Sequence, residues 1–80
     1  MSSLPPVPLE EKLLEAVRHA NSKLVRALKE LDDFLAGPES IAYFTEAEVT
    51  CLVELMGNVE LAHAAYDEAR RVLLRRLGLL

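Results

Sequence analysis

The sequence predicts an all-α fold: an antiparallel hairpin of two long helices, about residues 8–36 and 45–77, that dimerises into a four-helix bundle. Three observations lead there. The 80 residues include only 3 glycines, are rich in Leu, Ala, Glu and Arg, and hold few β-branched residues, which disfavours strands. Two separate stretches carry apolar residues at steps of alternately four and three, the period of a helical seam. A short break lies between them, with a helix-stop signal on one side and a helix-start signal on the other.

Residues 1–7, with Pro5, Pro6 and two serines, read as a flexible N-terminal segment ahead of a single domain over 8–80. Pro8 suits a first helical turn, where its missing N–H leaves no bond unmade. The first seam runs Leu13, Val17, Ala20, Leu24, Ala27, Leu31 and Phe34, and Leu14, Leu28 and Leu35 widen it into a broad face expected to be buried. The helix is expected to stop at Ala36, with Gly37 in the left-handed cap conformation and Pro38 unable to continue the ladder. Thr45-Glu46-Ala47-Glu48 then has the pattern of a capping box, and Phe44 and Val49 stand at staple positions. Ile41 and Tyr43 are expected to fold over the hairpin end.

The second seam is Leu52, Leu55, Val59, Ala62, Tyr66, Ala69 and Leu73, and it passes through Gly57 without losing step, which predicts one continuous helix. At 1.5 Å per residue the two helices are roughly 43 and 50 Å long, and a connector this short makes them pack antiparallel. A lone hairpin leaves much of each apolar face wet, and a chain this small needs a staple or a partner. Self-association, as a dimer or higher oligomer, is the expected remedy.

Composition narrows the function classes. Cys51 is the only cysteine, so no intrachain disulfide forms, and the start MSSLPPVPLEE lacks the basic and apolar regions of an export signal. A cytoplasmic location is expected. No apolar run approaches the ~18 residues that span a bilayer, so no membrane partner is expected. The net charge of −4 argues against nonspecific binding to nucleic acid. Residues 45–69 nevertheless carry six acids and no Lys or Arg, whereas Arg70, Arg71, Arg75 and Arg76 close the chain with no acid among them.

A second stripe on the later helix runs Val53, Met56, Glu60, His63, Asp67, Arg70 and Leu74 and is polar at its centre. Glu60 and His63, one turn apart, have the spacing to bind one metal, and in four-helix carboxylate proteins such a pair is joined by a glutamate from another helix. Glu30, beside the first seam, is the candidate. On these residues the chain resembles the two-helix encapsulated ferritins over about residues 10–75. The resemblance implies iron held by Glu30, Glu60 and His63 at a dimer interface, and ferroxidase activity. The residues themselves allow another account, a row of polar contacts at helical spacing among Glu60, His63, Asp67 and Arg70.

Gly57, Asn58, Ala62, Arg70, Leu73, Arg75, Arg76 and Leu77 also match the spacing of Fis-type helix-turn-helix domains, a resemblance that implies a DNA-binding regulator. A separate recognition helix would need a tight turn at residues 66–69, where Tyr66-Asp67-Glu68-Ala69 favours helix. Acids early and arginines late in one helix also complement its dipole. The arginines suit an acidic partner surface equally well. Neither His19 nor Cys51 stands in a nucleophile motif, and no complete catalytic set is present. The reading that follows is a small self-associating hairpin acting through protein–protein contacts, as an adaptor, regulator or inhibitor. It needs no cofactor, with iron required only under the ferritin-like alternative.

Overall fold

A computed structural model describes residues 8–37 and 43–80, so the expectations for residues 1–7, Pro38 and Ile41 lie outside the described residues. Two helices make up the fold: α1, Pro8–Ala36, and α2, Glu46–Arg76. α1 opens at Pro8 and carries Glu10 and Glu11 in its first turn, where negative charge suits the helix dipole. α2 is unbroken through Gly57 and through residues 66–69.

The ends of α2 are closed by local chemistry. Thr45 is its N-cap: the amide of Glu48 donates to Thr45 Oγ1 at 3.1 Å, and the amide of Thr45 donates to Glu48 Oε1 at 2.8 Å. Both halves of the capping box are therefore made. At the other end Gly78 adopts φ +77°, its amide donates to the carbonyl of Arg75 at 3.1 Å, and the Leu79 amide donates to that of Leu74 at 2.8 Å. These two bonds constitute a Schellman stop, with glycine at the left-handed position where a Cβ would be strained.

Two expectations for the connector and its flanks are corrected. Gly37 does not take a positive φ; Pro38 crowds the residue before it and favours extended backbone there. Tyr43 is 82% exposed and does not cover the hairpin end. That end is closed by Phe44, which meets Phe34 edge to face with ring centroids 5.5 Å apart at 81°.

The helices run antiparallel. At the open end Arg76 Nε donates to Glu10 Oε2 at 3.1 Å, and at the loop end the two phenylalanines meet. With equal rise in both helices, residues whose numbers sum to about 86 stand at one level. That register sets small residues against large ones: Ala20 at the level of Tyr66, Ala62 at the level of Leu24. Such alternation lets two helices approach closely. The core is nonetheless thin. Among the described residues only Ala20, Ala27 and Leu52 are buried, and no large side chain is fully enclosed. Leu13, Val17, Leu24, Leu31 and Phe34 on α1, and Leu55, Val59, Tyr66 and Leu73 on α2, are half-buried along the same line. Within one chain the buried face of α1 is narrow: Leu14, Leu28 and Leu35 are exposed, because one neighbouring helix covers only the seam itself.

Candidate functional site

The seam divides the hairpin into two flat sides of different chemistry. In an antiparallel pair the positions just before each seam residue meet on one side, and those just after it meet on the other. The structure displays the first meeting directly. Lys23, Arg26 and Glu30 of α1 line one open groove of about 400 Å³ with Asn58, Leu61 and Ala65 of α2, over a floor of Ala27 and Ala62. This groove side is charged at its rim, and Leu61 is its one strongly exposed large apolar residue among those described.

The opposite side takes the remaining flanks. From α1 it carries Leu14, Val25, Leu28 and Leu35; from α2, Val49, Val53, Met56 and Leu77. Eight of the thirteen exposed large hydrophobic residues among those described thus share one side, so the hairpin as a unit is amphipathic. The sequence pattern contained this division, since the flanking positions follow from the seam once the helices are known to be antiparallel. Separate inspection of each helix does not bring Leu28 and Met56 together.

A polar band crosses the apolar side toward the open end, with Asp67 at its centre. Arg70 Nη2 donates to Asp67 Oδ1 at 3.0 Å, and Arg71 Nη2 donates to Asp67 Oδ2 at 2.9 Å. The hydrogen bond from Arg70 is the chief cause that holds the Asp67 carboxyl below its ordinary value; partial desolvation opposes it, and the charges of Arg71, Arg70 and His63 add to it. Both arginines are half-exposed, so the cluster orders the surface more than it stabilises the fold.

The residues singled out for metal fall on different sides of the hairpin. Glu60 and His63 are exposed at flanking positions of the apolar side, whereas Glu30 lines the groove. Among the described residues no group of three or more His, Cys, Asp or Glu side chains in one hairpin gathers closely enough to hold a metal ion. The ligand set implied by the ferritin-like resemblance is therefore not assembled within a single chain.

The four C-terminal arginines share one straight stretch of α2 with the Asp67 cluster. Arg70 and Arg71 are engaged by Asp67, and Arg71 also approaches Glu68 at 3.8 Å. Arg76 is engaged by Glu10, and Arg75 makes no ion pair among the described residues. His19 is exposed and Cys51 half-buried. No helix among the described residues is long and apolar enough to cross a membrane. With an open groove as the main recess, the arrangement suits contact between surfaces better than enclosure of a small molecule. Comparison with protein-family models, curated proteins and solved structures finds no match to this chain.

Proposed function

We propose that the protein is a self-associating helical hairpin that works through protein–protein contacts, as an adaptor or regulator in a reducing, cytoplasmic setting. The observation that carries this reading is the pairing, among the described residues, of a core of three buried residues with one bare apolar side. A domain of this size gains little from three buried side chains, two of them alanines, and burial of the apolar side supplies the missing stabilisation. Once that side is covered, the charged groove and Arg75 remain available to a second, acidic protein surface.

Sedimentation equilibrium at micromolar concentration tests the reading. The expected mass is a multiple of 8.9 kDa, and the melting temperature is expected to rise with protein concentration, because association adds to the stability of the folded state. A well-folded monomer whose melting temperature is independent of concentration overturns it.

A further inference from the structure

We infer that the apolar side is the seat of a second copy of this chain, laid antiparallel so that the loop end of each copy covers the open end of the other. The inference rests on the self-association proposed above and adds the face, the direction and the register.

Charge sets the direction. Residues 26–61, the loop half, contain eight acids and two basic residues, whereas the remainder contains five acids and seven basic residues. The hairpin is thus a rod with a net −6 at one half and +2 at the other. Parallel stacking would bring the two acidic halves together, and antiparallel stacking sets each against the basic half of its neighbour.

The apolar side is also complementary to itself. Along α1 its stripe reads Leu14, Arg18, Asn21, Val25, Leu28, Asp32, Leu35. A two-fold axis near Val25 brings Leu14 to Leu35 of the other copy, Arg18 to Asp32, and Val25 to itself. The register of the hairpin carries the same axis across α2 between Glu60 and His63. There it sets Glu60 against His63 of the other copy and Val49 against Leu74. One axis therefore serves both helices: on α1 it opposes Arg18 and Asp32, whereas on α2 it also sets Val53 against Arg70 and Met56 against Asp67, so the apolar match is carried chiefly by α1.

The area fits as well. The eight apolar residues of this side are each 36–62% exposed and run the length of the hairpin, a patch of the extent that a standard interface of ~800 Å² per partner covers. The product is a four-helix bundle in which α1 packs on α1 and α2 on α2.

Single cysteines in a Cys51→Ala background test the geometry, with sedimentation run alongside. Val25→Cys is expected to form a disulfide with its own copy. Leu35→Cys alone is expected to form none, but to pair with Leu14→Cys in a mixture of the two variants. Arg18→Asp is expected to raise the dimer dissociation constant by at least about tenfold, and adding Asp32→Arg to the same chain is expected to restore it. A mixture in which Leu35→Cys pairs with Val49→Cys and not with Leu14→Cys overturns the antiparallel arrangement, because parallel stacking lays α1 on α2 of the other copy. A dimer in which Leu61→Cys links while Val25→Cys does not overturns the choice of face. Both leave self-association standing, whereas a monomeric wild type removes the inference together with the reading beneath it.

Discussion

Gly57 stands in the middle of α2 on the side turned away from α1, and a methyl group built there meets nothing within 4 Å. A glycine inside a helix costs about 1 kcal/mol relative to alanine, chiefly through the backbone freedom it loses on folding. Gly57→Ala is therefore expected to stabilise the protein by about 1 kcal/mol, read as a shift of the urea midpoint at fixed protein concentration. An unchanged or lowered midpoint would show that the glycine answers a need elsewhere. Asp67 carries a second expectation, one of pH. Its carboxyl titrates below the ordinary range when folded, so its contribution is present above the unfolded value and is lost as the pH falls through the folded one. Wild type is expected to be more stable than Asp67→Asn at neutral pH, with the gap closing in acid. A gap of constant size from neutral to strongly acid solution would contradict that account.

For the helices, the two ends of the connector are treated unequally. α2 begins with a complete capping box, and Thr45→Ala is expected to cost about 1 kcal/mol, measurable by thermal melting at one protein concentration. A loss near zero would mean that the chain before Glu46 finds other partners for the freed amides. α1 ends with no basic residue in its last turn, where its dipole would favour one, and Asp33 is held by Lys29 at 3.2 Å one turn back. Helix limits were legible in the sequence because their causes are local: Pro8 to open α1, Gly37-Pro38 to stop it, and Thr45 with Glu48 to start α2. The seam was legible for the same reason, as a period carried along each helix. The conformation of Gly37 was set by competition between a left-handed cap and the crowding of Pro38, and the pattern alone favoured the wrong side. Tyr43 and Phe44 were interchangeable as lids until the position of Phe34 was known. The two sides of the hairpin lay further from view, since Glu30 and His63 look like partners in a list of spacings and are separated only when both helices share one register.

Taken whole, the molecule derives most of its organisation from one line of contact between two rods, and the two ends of that line differ in a way that governs the order of folding. Phe34 meets Phe44 across ten residues of chain, whereas Glu10 meets Arg76 across 66. Closing the longer loop first would cost about 1.7 kcal/mol more in chain entropy, so pairing starts at the phenylalanines and zips toward the open end. The clasp between Glu10 and Arg76 then belongs to the last step of assembly and the first of disassembly. In stopped-flow experiments at fixed protein concentration, Phe34→Ala is expected to slow refolding, and Glu10→Gln to quicken unfolding while leaving refolding nearly unchanged. The reverse pattern would place the nucleus at the open end. A salt link that adds little to equilibrium stability at a half-exposed site thereby acts as a latch on the lifetime of the folded chain.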